Sequence, residues 1–388
     1  MILLNLCKNS LQDELDGFFE TTRGLAVASR VAWKSALSQA RYKLRSSAFE
    51  ELNDLVIERF YRARRARRWH GLRLLAGDGS TARLPDTDEV LEHFGGMIAA
   101  TGRAHALARV VSVFDPLNRL TVAAKIAPYA AGERELLAEL LPRLGKRDLL
   151  LLDRGFPAFW LFALLAHKQV GFCVRASVSY CPEVTAFLAT GKRDAVITFQ
   201  AGAHARRQCR KSGASSQPLE LRVVRIKLPG GGVEVLITSL TDRRRFRHRE
   251  FQGLYHLRWG VEESFKALKS RVEVENWTGK YVEAVYQDFH AKIVTTNLTA
   301  VFAFEAQVAV ERRTRKRARS YRVNFTHALS KMKNTVLLLL TRQRLDAYVD
   351  ALLKLYAATT EPVRPNRSYP RRPGPKLQGF YPCYKPAH

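Results

Sequence analysis

Apolar residues in the first part of the chain recur at helical spacing. In SAFEELNDLVIERFYRARRARRW, Phe49, Leu52, Leu55, Val56 and Phe60 fall on one side, which predicts a helix. Ser47, with Glu50 three residues later, has the spacing of a capping box. Beyond residue 70 the texture changes. GLRLLAGDGSTARLP predicts a strand, a tight glycine-flanked turn and a second strand, and HALARVVSVFD and LTVAAKIAP predict two more. GERELLAELLPRLG carries a helical stripe ended by Pro142 and Gly145. RDLLLLDRGF has neither period, as expected of a central strand covered on both faces. PAFWLFALLAHKQ predicts a helix opened by Pro157, and VGFCVRAS a further strand. This order predicts an α/β fold in which helices pack on a mixed sheet.

From residue 179 the pattern breaks. AVITFQ, LELRVVRIKLP and GVEVLITSL read as strands separated by the loop GAHARRQCRKSGASSQP and by the Gly230-Gly231-Gly232 turn, which predicts a mostly antiparallel β insertion. The chain then turns helical again, first in HREFQGLYHLRWGVEESFKALKSR and then in YVEAVYQDFHAKIVTTNLTAVFAFEAQVAVERR. Residues 361–388, with seven Pro and six Lys/Arg, read as an irregular basic tail. The expected division is a helical basic region 1–70, a first part of the core 71–178, the insertion 179–245, a second part of the core 246–300, a helical region 301–360 and the tail.

Charge narrows the classes. The 388 residues hold 64 Lys+Arg against 36 Asp+Glu, a formal net charge of +28, so a polyanion is the first expectation for a partner. The five cysteines (Cys7, Cys173, Cys181, Cys209, Cys383) form no CxxC pair, and the ten histidines no HExxH spacing. A reducing cytoplasmic setting is the simpler reading. The apolar run Phe156–Ala166 is too short to cross a bilayer, and no membrane partner is expected. Basic residues cluster at Arg62, Arg64, Arg65, Arg67 and Arg68, at Arg206, Arg207, Arg210 and Lys211, at Arg243–Arg249, and at Arg312–Arg319, which includes Arg315, Lys316 and Arg317. Each is either a solvated face or a phosphate-contacting surface.

Three acids stand out against this background. Asp78 follows the strand-like LRLLAG, and Asp153 ends LLLLD, where a carboxylate would sit at the opening of the sheet. A strand-end Asp also serves as a turn or helix cap, whereas two in one crevice suit a divalent cation. On the late helix, Tyr255, Arg258 and Glu262 fall on one face with Lys269 two turns beyond, while Leu254, Trp259, Phe265 and Leu268 point inward. The alternative is a pair of ordinary helix salt bridges, Arg258–Glu262 and Glu262–Lys266.

The spacing Y-x2-R-x3-E-x6-K, filled by Tyr255, Arg258, Glu262 and Lys269, resembles the signature of bacterial IS4-type insertion-sequence transposases of the DDE recombinase group. GDGST resembles the segment carrying that family's first catalytic Asp, DRGF the one carrying its second, and AKIVTTNL a downstream helix of the same style. The likeness runs from about Gly71 to Leu298. It implies an RNase H-like core interrupted by the β insertion, with Asp78, Asp153 and Glu262 as catalytic metal ligands for two Mg²⁺ ions, Mn²⁺ being a substitute. Glu262 rather than Glu263 takes the third role, because only it keeps the spacing to Arg258 and Lys269. The resemblance also implies that Tyr255, Arg258 and Lys269 hold DNA backbone and that cut-and-paste transposition proceeds through a hairpin. The partners implied are double-stranded DNA, as element ends and target, and a second copy of the chain in a synaptic homodimer, at the bacterial nucleoid. A flipped base needs an aromatic receiver, yet between residues 181 and 245 the only aromatics are Phe187 and Phe199; Phe246, Trp259 and Trp277 lie outside that span, and no pocket is assigned. The rival readings are an RNase H-like nuclease without transposition activity, a non-catalytic basic nucleic-acid-binding protein, and a transposase whose element no longer moves.

Overall fold

A computed structural model describes residues 1–364 except 27–28, 64, 99–101 and 229–230. Arg64, Gly230 and the tail from residue 365 lie outside the described residues. In chain order the main elements are α1 (Leu11–Arg23), α2 (Lys34–Arg41), α3 (Ser47–Arg62), β1 (Arg73–Arg83), α4 (Asp88–Phe94), β2 (Gly96–Ile98), β3 (Ala104–Asp115) and β4 (Leu120–Pro128). Then come α5 (Glu133–Leu140), β5 (Asp148–Leu152), α6 (Phe159–His167), β6 (Gly171–Ala176), α7 (Pro182–Ala189), β7 (Asp194–Phe199), α8 (Ala203–Ser212), β8 (Leu219–Lys227) and β9 (Val233–Thr238). The last are α9 (Phe251–His256), α10 (Trp259–Ser270), α11 (Val282–Thr314), α12 (Phe325–Thr341) and α13 (Asp346–Ala358). The chain forms two compact units.

The sheet-bearing unit comprises Arg65–Thr81 and Arg109–Phe265. Its strands run in the order β4-β3-β1-β5-β6-β9-β8-β7. β1, β5 and β6 are parallel neighbours, whereas β6-β9, β9-β8 and β8-β7 are antiparallel. This is the mixed sheet expected of an RNase H-like core, with the antiparallel insertion continuing the same sheet. β5 is buried along its whole length, as its unbroken Leu run requires, with Leu149 to Leu152 fully enclosed. α6, apolar on every face, is likewise buried.

Two local expectations fail here. RLLAGDGSTAR (Arg73–Arg83) is one continuous strand, not a strand-turn-strand. Gly77 and Gly79 answer close approach rather than a turn. A Cβ at Gly77 would lie 2.6 Å from Leu152 Cδ2, and one at Gly79 would lie 2.2 Å from the Glu133 carboxyl carbon. Asp78 therefore stands inside β1. The basic stretch with Arg206, Arg207, Arg210 and Lys211 is the helix α8, ended by Gly213 in the left-handed region, rather than a loop.

The other unit comprises Met1–Arg64, Ala82–Ala108 and Lys266–His388. Its centre is α11, against which α3, α12 and α13 pack. α11 is long and apolar enough by length and composition to cross a membrane, a length the Phe156–Ala166 run did not anticipate. It carries buried polar residues, Gln287, Asp288 and Asn297, all hydrogen-bonded within the unit. The buried seam of α3 is Phe49, Asn53, Ile57 and Phe60. Leu55 is instead exposed, because the seam follows Asn53, whose side chain accepts from Asn297 at 2.6 Å. The Ser47–Glu50 capping box does not form; Ser46 is the N-cap, and its backbone N–H donates to Glu283 at 2.5 Å.

Candidate active site

The parallel register sets the first two acids side by side. Gly77 pairs with Leu152 on the last rung between β1 and β5, so Asp78 and Asp153 each follow one step beyond it. Asp78 Oδ1 accepts the N–H of Gly79 at 2.9 Å, and Asp153 Oδ1 accepts that of Gly155 at 2.8 Å. These short-range bonds fix both carboxylates at the open end of the parallel strands, the usual place for chemistry in such a sheet. Asp153 stands at its strand end as expected, and Asp78 does not.

The third acid arrives on α10. The stretch expected to be a single helix is broken at Leu257–Arg258, leaving α9 and α10 as separate helices. Glu262 lies in the first turn of α10, where the helix dipole favours a carboxylate. Gly260 lets this end approach the turn after β3, since a Cβ there would lie 2.7 Å from Pro116 Cβ. The break also changes which residues face inward. Leu254, Phe265 and Leu268 are buried as expected, but Trp259 is 38% exposed, its ring lying 5.1 Å from the Arg258 guanidinium carbon.

Arg258 joins the acids. Its Nη2 donates to Glu262 Oε1 at 2.7 Å, and its Nη1 stands 3.6 Å from Asp78 Oδ2. Burial pushes the Asp78 carboxyl up to about 6; the Gly79 N–H and Arg258 oppose this, while the charges of Asp153 and Glu262 add to it. Asp78 thus lies within the fields of both other carboxylates. Burial disfavours the Arg258 charge, yet its hydrogen bond to Glu262 and the nearby Tyr255, Glu262 and Asp78 hold it above the usual arginine range. Among the described residues no group of three or more Asp, Glu, His or Cys is closed into a ligand cluster.

Tyr255 is 4% exposed, and its hydroxyl donates to the Leu152 carbonyl at 3.3 Å, beside Asp153. Burial raises its hydroxyl above the ordinary tyrosine range. Lys269 belongs to the other unit, where it pairs with Glu275 at 3.7 Å. Arg62 pairs with Glu58 at 2.5 Å, and Arg65, Arg67 and Arg68 are exposed. Arg206, Arg207, Arg210 and Lys211 are exposed on α8, as are Arg315, Lys316 and Arg317 after α11.

Two participants had no sequence signal. Glu133, at the start of α5, lies against Gly79 and pairs with Arg109 at 3.0 Å, bringing a further carboxylate beside Asp78. Glu234 on β9 pairs with Arg175 at 3.3 Å and lies within the field of Arg258. Burial raises the Glu234 carboxyl, against the pull of Arg175 and then Arg258. Only the small residue at Gly79 hinted that something approaches there, and its spacing could not say what.

Comparison with known proteins bears on this arrangement. The sequence model of the family described as Transposase DDE domain matches residues 69–298, more than half of the chain. The transposase InsG for insertion sequence element IS4 of Escherichia coli K12 is 28% identical over 271 residues, covering 68% of this chain and 60% of InsG. InsZ of the same organism is 30% identical over 142 residues, covering 35% of this chain and 46% of InsZ. The chain thus spans about 60% or less of the length of these relatives. Among solved structures, the piggyBac transposase synaptic complex with hairpin DNA aligns with a TM-score of 0.40 and 9% identity, over 73% of this chain and 57% of that one. The matched span 69–298 contains β1 with Asp78, the turn with Asp153 and α10 with Glu262, and on that match the chain belongs to the DDE transposase family, in its IS4-type branch.

Proposed function

We propose that this chain is a DNA transposase that binds the terminal inverted repeats of an insertion sequence, cleaves phosphodiester bonds there and joins the freed ends to target DNA. The observation that carries the reading is the placement of Asp78 and Asp153 one step beyond the same rung, with Arg258 bridging Asp78 and Glu262, in a strongly basic chain of this family. DDE transposases use divalent metal ions, and the donors fit: three carboxylates offer the hard oxygens that Mg²⁺ and Mn²⁺ prefer. We assign Asp78, Asp153 and Glu262 as the residues that would hold two Mg²⁺ ions. When bound, such ions generate a nucleophilic oxygen at neutral pH and neutralise charge on the leaving oxygen.

The chain's own residues do the remaining work. The Gly79 and Gly155 amides orient the two aspartates, and the Arg258 guanidinium orients Glu262. A water held among them attacks the phosphate at the element end. The 3′-hydroxyl so released becomes the attacking group on the next strand, so no side-chain nucleophile is required. Arg206, Arg207, Arg210 and Lys211 on α8 supply exposed positive charge for backbone phosphates, with Arg315, Lys316 and Arg317 a second such surface. Two copies of the chain, each holding one end, would form the synaptic assembly in the bacterial cytoplasm.

Neutralising the four α8 cations to Gln is expected to weaken DNA binding across sequences. The slope of log affinity against log salt should shallow by roughly 0.9 for each phosphate that is no longer neutralised. Titrations of labelled duplex at several salt concentrations measure both; an unchanged slope removes α8 from the interface.

A mobilisation assay tests the function. A marker flanked by the DNA that borders the coding region is placed on a donor plasmid, and the chain is supplied separately. Excision and recovery of the marker between short direct target duplications is expected. A marker that never moves while the protein is soluble and folded rejects the reading.

A further inference from the structure

The arginine of the signature is enclosed. Arg258 is 5% exposed, so in the resting site its guanidinium is turned to the carboxylates rather than to solvent. One nitrogen is hydrogen-bonded to Glu262, another is ion-paired with Asp78, and Nε and Nη1 have no hydrogen-bond partner among the described residues. The rings of Tyr255 and Trp259 lie 5.8 and 5.1 Å from it. A buried cation with unused donors, lodged against two carboxylates, occupies the electrostatic role a divalent ion would fill. Its backbone lies in the turn between α9 and α10, where its N–H donates to the Tyr255 carbonyl at 3.0 Å and its carbonyl accepts from Val261 at 3.1 Å.

Resting on the assignment of these acids as metal ligands, we propose that Arg258 is the internal counter-cation of the resting site. It holds Asp78 and Glu262 until DNA is engaged, and is exchanged for divalent metal when a backbone phosphate offers it another partner. This gives Arg258 a positioning role that couples two binding events. DNA should raise metal affinity, and by linkage metal should raise DNA affinity by the same factor. Without Arg258 the carboxylates would repel one another in the resting protein, and divalent metal would relieve them directly.

Mn²⁺ titration of the full chain by calorimetry at pH 8, with and without a duplex oligonucleotide, tests this without reading catalysis. Arg258→Met keeps much of the side-chain volume and removes the charge. Relative to the native chain, it is expected to bind Mn²⁺ roughly tenfold tighter or more in the absence of DNA, the scale of one charge-assisted hydrogen bond. It should also lose most of the DNA-dependent gain in Mn²⁺ affinity. Its melting temperature should fall without metal and recover on adding Mn²⁺. Arg258→Lys, which keeps the charge, should retain native-like coupling and serves if the Met variant does not fold. Equal or weaker Mn²⁺ binding by Arg258→Met, or loss of coupling in Arg258→Lys as well, overturns the counter-cation role while leaving the metal assignment standing. Failure of the native chain to bind Mn²⁺ even with DNA overturns both.

Discussion

Glu262→Gln is expected to leave terminal-repeat binding close to native while lowering Mg²⁺-dependent end cleavage by about 10³-fold or more. The magnitude follows from losing several kcal/mol of charge stabilisation at the reacting phosphate, each ~1.4 kcal/mol being tenfold in rate. The substitution is close to isosteric, and its side-chain oxygen still accepts from Arg258 Nη2, so the start of α10 keeps its anchor. Asp78→Asn and Asp153→Asn should fall as far, because each removes an anionic oxygen donor at the end of the parallel strands.

Asp78 adds a signature in stability. Its carboxyl is raised in the folded chain to about 6, chiefly by burial, so ionising it costs the fold free energy as pH rises from ~4 to ~6. A two-unit shift corresponds to about 2–3 kcal/mol. At pH 7 and without metal, Asp78→Asn should therefore be more stable than the native chain, and the advantage should vanish below pH 4. Denaturant midpoints across that window measure it. A variant that loses activity and stability together would point to a damaged fold.

Arg41→Ala should be the most damaging single change in the helical unit. Arg41 and Asp288 are both 3% exposed and paired at 3.0 Å. The same guanidinium donates to Gln287 at 2.9 Å, to Thr278 at 2.7 Å and to the Ala284 carbonyl at 3.2 Å. Removing it leaves a buried carboxylate without its counter-charge, at a cost of about 3–5 kcal/mol. For a chain of this size that is a fall in melting temperature of about 4–6 °C. Asp288→Asn on the Arg41→Ala background should restore part of it, since the orphaned charge goes too. Calorimetry of the single and double variants checks both, and a single variant melting within a degree or two of native would refute the network's role.

The strand and helix order of the core was legible because β5, α6 and the hairpin strands carry unbroken or periodic apolar runs that only one environment satisfies. Glycine misled. Gly77 and Gly79 read as turn residues, but they make room for Leu152 and Glu133 across space, and no local signal distinguishes those two uses of a missing Cβ. α8 was hidden because its polar, Arg-rich surface buries only Cys209 deeply, leaving no apolar stripe to count. At the site, residue types and chain order marked the acids and Arg258. The break at Leu257–Arg258, the exposure of Trp259 and the burial of Tyr255 arise from packing around Pro116 and Leu152, more than a hundred residues away in sequence.

The role proposed for the three carboxylates is to cut DNA at the element's end through divalent metal. The most direct measurement is strand cleavage of an end-labelled duplex spanning that boundary, by the native chain and by a variant with Asp78, Asp153 and Glu262 all neutralised, in Mg²⁺ and in EDTA. A nick at the boundary, leaving a 3′-hydroxyl, is expected from the native chain in Mg²⁺ alone. Equal cleavage in EDTA, or by the neutralised variant, would contradict it.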